Sequence, residues 1–556
     1  MTSVRAVLAA ALGSALILSA CTRAGDGPGT GAAGSGQNSW TTPGRLVISA
    51  ASDPKNLDPV IDSSQPTLEL SMFLFSYTVR YDQHSHPVPD AVSEVPTIEN
   101  GDVSRDGLTL RYKLRHDILW HDGEKLTCRD LRFTWQAVMN PHNNAQTTVG
   151  YDAIKDIDCR DPYVAVVHMK HLYAPFLQQL WSVNGNAPIL PEHLLAQYND
   201  AKGSFNTAPY QSAPVGSGPF RFVAWDRGSD VRLAANDHYF RGRPGLNEVV
   251  YKIIPDGNTL VTQLQTHEID LGFNLPATSW ERAHAIPGTD AITPVVYNFV
   301  HIDFNLRQPL FADVRVRRAL TDALDRPSLL EKVEHGLGEL ADTFLDSTLS
   351  PEAVNHDVMK YPYDPTRARA LLDAAGWRVG PGGIRIRNGQ RLAFTFSTQT
   401  ESTTGHAMQV QAQSYWRAVG ADVTIKNYPT SQFFANDATG ILTSGKYDVA
   451  SYSWAGAADI DQSAIYSAKY MAPHGQNFFY WNNALATAKM EDANSTVDQA
   501  RRIADYRVVQ AEFAKDDGSI IMWFRKYPVV YNTDLKRMTS TPVISTPFWN
   551  TWDYTI

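Results

Sequence analysis

From Phe311 to Trp454 the apolar residues change period again and again. In "FADVRVRRALTDALDR", Val316, Ala319, Leu320, Ala323 and Leu324 fall on one face of a 3.6-residue repeat, and Asp313 stands where it caps a helix. "YDPTRARALLDAAGW" puts Asp364 at the N-cap, Pro365 at the first helical position and Gly376 in the C-terminal turn. "AFTFSTQT", "AMQVQAQSYWRAVG", "ADVTIKNYP" and "YDVASYSW" then alternate strand and helix. Strands that alternate with helices need those helices to cover a sheet, so this region reads as an α/β unit. Upstream, Leu108, Leu110, Tyr112 and Leu114 alternate with polar residues, which buries one face of a strand. "TCRDLRFTWQAVMNP" is a helix capped at Thr127 and stopped by Asn140-Pro141. No internal repeat is visible.

The N-terminus fixes the compartment. "MTSVRAVLAAALGSALILSAC" has one basic residue, an apolar run and small residues before a cysteine, which is a secretory signal pattern over residues 1–20. Leu18-Ser19-Ala20-Cys21 resembles the bacterial lipobox, so Cys21 is expected to carry lipid and hold the protein at the cell membrane, outside the cytoplasm. The alternative is an ordinary signal peptide with an incidental cysteine. Residues 21–44 are dominated by Gly, Ser, Ala and Thr and read as a flexible tether with a mean reach on the order of 25 Å. Cys128 and Cys159 remain, and an even pair outside the cytoplasm points to a disulfide worth roughly 3 kcal/mol. Two reduced, buried thiols are the alternative.

The 556-residue chain has a net charge of -9 and no basic run, which argues against a nucleic-acid partner. Neither His nor Cys shows ligand spacing, so no metal site and no cofactor are expected. The His-Glu-x-x-His helix of metalloproteases is absent. Gly216-Ser217-Gly218 lacks the spacing of a nucleophile elbow and precedes a strand rather than a helix. The chain is therefore expected not to be an enzyme.

Six blocks carry a resemblance: "YKLRHDILWHDGEKLTCRDLRFTWQ", "PVGSGPFRFVAW", "LAANDHYFRGRPGLNEVVYKIIPD", "LVTQLQTHEIDLG", "PLFADVRVRRALTDALDR" and "YDPTRARALLDAAGW". In this order they resemble the bacterial extracellular solute-binding proteins of family 5, the peptide and nickel receptors of ABC importers. The resemblance implies a periplasmic-binding-protein-like α/β fold, with two lobes on a hinge and an extra domain. It implies lobe I at 45–60, 191–304 and 516–556, the extra domain at 61–190, lobe II at 305–515, and a crossing near His301–Asn305. It also implies a monomer that clamps a small peptide in the interlobe cleft and delivers it to membrane permease subunits. The alternative within the same fold is an envelope protein that binds a metal chelate, haem or sugar without import.

Peptide receptors of this family commonly place an Asp three residues after a Trp, to pair with the peptide α-ammonium. Here Trp454 is present, but the third residue on is Ala457. Asp459 and Asp461 are the nearest acids and the candidates to replace it. Trp454 is a candidate apolar wall or cation-stacking surface. Tyr297, His301 and Asn305 are candidates on the implied crossing. Ser64 and Gln65, which follow the first strand, are candidates on the cleft.

Overall fold

The computed structural model describes residues 37–556 except 186, 274, 401, 436–437, 456–458, 474 and 544–546. The expected signal segment, Cys21, the tether as far as residue 36, and Ala457 lie outside the described residues. Two large sheets organise residues 40–556. The first has seven strands in the order Thr289–Ile292, Val529–Asn532, Leu271–Phe273, β1 (Arg45–Ala50), Glu248–Ile253, Asp230–Ala235 and Phe220–Asp226. β1 lies parallel to Glu248–Ile253 and Leu271–Phe273, and its residues 46–50 are buried. Parallel strands covered on both faces need such apolar runs.

The second sheet has six strands: Gly338–Leu340, Ser519–Lys526, β2 (Val295–Phe304), β3 (Val449–Ala455), Ala393–Ser397 and Asp422–Ile425, in that order. Strand Ser519–Lys526 is called β4 below. Both β2 and β4 fall within ranges that the resemblance assigns to lobe I, yet they pair in the second sheet. β2 is hydrogen-bonded on one edge to β3 and on the other to β4, so it lies inside the second sheet. The crossings therefore fall at residues 293–294 and 527–528, not at His301–Asn305. Each crossing carries a proline, Pro294 and Pro528, and the Tyr527 N–H donates to the Pro294 carbonyl at 3.0 Å.

Segment 61–190 begins with α1 (Gln65–Leu74), of which every residue from Pro66 on is buried. It continues with the paired strands Val79–Tyr81 and Pro87–Pro89, and with a three-stranded sheet. In α2 (Cys128–Met139), Asp130 accepts from the Thr127 N–H at 2.8 Å, closing a capping box. The Cys128–Cys159 disulfide ties the first residue of α2 to strand Ile154–Asp161, with Cα atoms 5.6 Å apart.

The second sheet is covered by α3 (Val314–Asp322), α4 (Pro365–Ala374) and α5 (Thr403–Ala418). Asp313 caps α3 through the Arg315 N–H at 2.9 Å, and Asp364 caps α4 through Thr366 and Arg367 at 3.0 and 2.8 Å. The stripe Val316, Ala319, Leu320 and Ala323 is fully buried against this sheet. α6 (Gln499–Asp516) belongs to a separate core cluster, together with Phe299, Ile521 and Phe524 of this sheet.

The ordered body starts earlier than the sequence reading placed it. Trp40 stacks on His267 at 4.2 Å, and the Thr41 hydroxyl donates to Asp534 at 2.6 Å. Residues 40–44 are thus pinned to the first sheet rather than part of a free tether. An indole and a hydroxyl that find partners offset the chain entropy that Gly-rich residues alone would not.

Candidate functional site

A cleft of about 480 Å³ opens beside the first crossing. One wall is the turn 83–86 between Val79–Tyr81 and Pro87–Pro89. The other is built from Tyr297 on β2, the loop 348–353, Ile460 and Gln499. Tyr297 joins the two walls. Its hydroxyl donates to the Leu349 carbonyl at 2.9 Å and lies 3.4 Å from the Ser85 hydroxyl. Burial pushes its phenol pKa up, so the group stays a neutral donor. Of the residues expected at the ligand, Tyr297 is the one that lines this cleft.

Asp459 and Asp461 flank the cleft residue Ile460, but their carboxylates are already engaged. Asp459 is paired with Arg502, whose Nη1 lies 2.8 Å from Oδ2. Asp461 accepts from the Tyr506 hydroxyl at 2.6 Å and from the Ser463 N–H at 2.9 Å. A half-buried carboxylate that lies against a buried guanidinium has its charge compensated within the fold. The loop still faces segment 61–190. Burial pushes the Tyr173 phenol up, and the charges of Asp461 and Asp459 push it further.

The other candidates fall elsewhere. Trp454 stacks on Phe478 with ring centres 5.9 Å apart, and meets Tyr452 edge-on at 5.6 Å. It belongs to an aromatic cluster beside β3 and is half-buried there. His301 is 1 % exposed in mid-strand, with Nδ1 2.9 Å from Asp303, whose other oxygen accepts from Tyr452 at 2.6 Å. Asn305 donates to the carbonyls of Gly445 and Tyr447 at 3.1 and 2.8 Å, fastening the far end of β2 to the turn before β3. Both side chains are buried and bonded within the fold, and neither lines the cleft. Ser64 occupies the N-cap position of α1 and donates to Asp62 at 2.8 Å, and Gln65 is the first residue of that helix. Neither lines the cleft described here.

A second recess, of about 280 Å³, escaped the sequence reading. It lies where Ala393–Ser397 gives way to α5, and Thr398, Ser402, Thr404, Ser453, Trp523 and Arg525 contribute to its lining. Arg525 pairs with Glu334 at 3.2 Å, and burial raises the Glu334 carboxyl while Arg525 pulls it back. Ligands of open α/β sheets gather beyond the carboxyl ends of strands. The polar run "STQTESTTG" after an apolar strand was the available signal. Among the described residues, no group of three or more His, Cys, Asp or Glu comes together as a metal site. Ser217 is buried in a turn and offers no exposed nucleophile.

The profile of bacterial extracellular solute-binding proteins, family 5 Middle, matches residues 87–476. The chain belongs to this family. Family 5 consists of binding proteins rather than enzymes, and its members are extracytoplasmic. Among family 5 relatives, the oligopeptide-binding protein AppA of Bacillus subtilis is 27% identical over 488 residues, 86% of each chain. The di/tripeptide-binding protein 2 of Pseudomonas aeruginosa is 26% identical over 83% of this chain and 88% of its own. The structure of AppA in complex with a nonapeptide superimposes with a TM-score of 0.75 at 25% identity, covering 92% of this chain and 99% of that one. NikA from Brucella suis, in complex with Fe(III)-EDTA, gives 0.80 at 21% identity with the same coverage and supports the fold alone. The α/β architecture is thus that of the family 5 periplasmic binding proteins.

Proposed function

We propose that this family 5 protein captures peptides between its two lobes and delivers them to the permease subunits of an ABC importer. The observation that carries this reading is the cleft at the crossing, walled by segment 61–190 on one side and by Tyr297 and loop 348–353 on the other. Closure on a guest there excludes water and strengthens each polar contact. The peptide-binding relatives, which match over most of their length, favour peptides over other solutes. Lipid on Cys21 keeps the monomer at the outer face of the cell membrane, and residues 22–39 act as the leash, since Trp40 is already docked.

The test is a melting-temperature screen of the protein lacking residues 1–21 against peptides of two to nine residues. A ligand at about 100 times its Kd stabilises the folded state by about 2.7 kcal/mol. Peptides that raise the transition support the reading. A shift with a metal chelate, haem or sugar and with no peptide overturns it.

A further inference from the structure

Helix α6 runs behind the cleft wall of lobe II. Arg502, Tyr506 and Gln510 repeat every four residues and so share one helix face. They are 3 %, 0 % and 0 % exposed. Arg502 holds Asp459, as described above. Tyr506, besides donating to Asp461, accepts from the Gln462 N–H at 3.0 Å. Gln510 donates to the Ala353 carbonyl at 2.9 Å, and its Oε1 accepts from the Asn355 N–H and the Thr343 hydroxyl, both at 3.0 Å. Ile460 and residues 349–353, which face the cleft, lie between or beside these anchor points. Gln499, at the start of the same helix, lines the cleft itself and accepts from Arg502 at 3.3 Å.

A helix face buried for packing alone carries apolar side chains. Three buried polar groups are costly unless every bond is made, and here the bonds go to two separate loops. We propose that Arg502, Tyr506 and Gln510 are positioning residues for ligand capture. They fix both lobe II cleft loops and turn Asp459 and Asp461 onto the helix, so that these acids do not read the amino end of the ligand. The second half rests on the peptide reading; the first does not.

Two measurements test it on the full folded domain. Amide hydrogen exchange of ligand-free Tyr506→Phe and Gln510→Leu reads the loops directly. Tyr506→Phe speeds exchange at 461–463 and Gln510→Leu at 353–355, each by about tenfold, the factor for one lost buried hydrogen bond. Unchanged exchange in both variants overturns the positioning role. Capture of a random nonapeptide pool, with free or N-acetylated amino ends, is then measured well below each variant's melting temperature. The wild type takes both pools equally, and the two variants take both about fivefold less. Faster exchange with unimpaired capture marks a merely structural role and overturns the proposal. A free pool held about tenfold better, with the advantage lost in Asp459→Asn, overturns the second half. If neither pool is captured, the peptide reading falls together with that half, and the first is decided by the exchange rates together with capture of whichever solute raises the melting temperature.

Discussion

The imidazole of His121 accepts a hydrogen bond from the backbone N–H of Gly216, through Nδ1, at 3.1 Å. Its Nε2 lies 3.1 Å from the Gly218 carbonyl and donates to it. The turn "WHDGEKLT" is thereby fastened to the turn "PVGSGPF". Gly216 itself tolerates no side chain: a Cβ there would meet the Leu74 carbonyl at 1.8 Å. One protonated and one bare ring nitrogen make both bonds, so the neutral ring is the bound form.

This arrangement sets a pH dependence. Burial pulls the His121 pKa from 6.5 down to about 4. Between these values the unfolded chain binds the proton and the folded one does not. The stabilisation is complete above pH 6.5 and is lost as pH falls towards 4, by at most about 3 kcal/mol. His121→Gln should lose about 1–2 kcal/mol at pH 7.5 and much of the fall in stability between pH 6.5 and 4. Urea denaturation across pH 4–8 checks both.

Glu69 on α1 behaves in the opposite sense. Burial lifts its carboxyl from 4.5 to about 8, and it bonds the Tyr251 hydroxyl on the neighbouring strand. The folded chain keeps a proton that the unfolded chain releases, so its contribution falls as pH rises from 4.5 through 8. Glu69→Gln should match the wild type near pH 5 and melt higher at pH 9, as read by thermal denaturation.

Tyr297→Phe removes the hydroxyl that joins the cleft walls. Loss of its 2.9 Å bond to Leu349 should cost about 1 kcal/mol, and ligand binding should weaken about fivefold. Calorimetry with a peptide taken from the melting screen measures the affinity, and a parallel melt gives the stability.

Replacing Cys128 and Cys159 by Ser opens a link spanning 31 residues and should cost roughly 3 kcal/mol. Neither cysteine lines the cleft, to which segment 61–190 contributes the turn 83–86, so affinity measured well below the melting point should hold. Denaturation and binding of the double variant check the two outcomes separately.

The helices around the second sheet were legible because their signals are local. Asp313, Asp364 and Pro365 act on residues two or three places away. The crossing was not legible, because "VVYNFVHIDF" is an apolar run that suits either sheet, and only its partners β3 and β4 decide. Asp459 looked available because Arg502, which occupies it, stands 43 residues further on. Trp454 reads as a pocket wall or a cation-stacking surface because Phe478, on which it stacks, lies on a remote segment. The recess before α5 follows from strand direction, which a single sequence does not reveal until the strands are ordered.

The two proline-bearing crossings lie side by side and are bonded to each other by the Tyr527 N–H. Each proline fixes one backbone torsion. The two sheets are therefore joined by a pair of stiffened, mutually bonded strands rather than by one free linker.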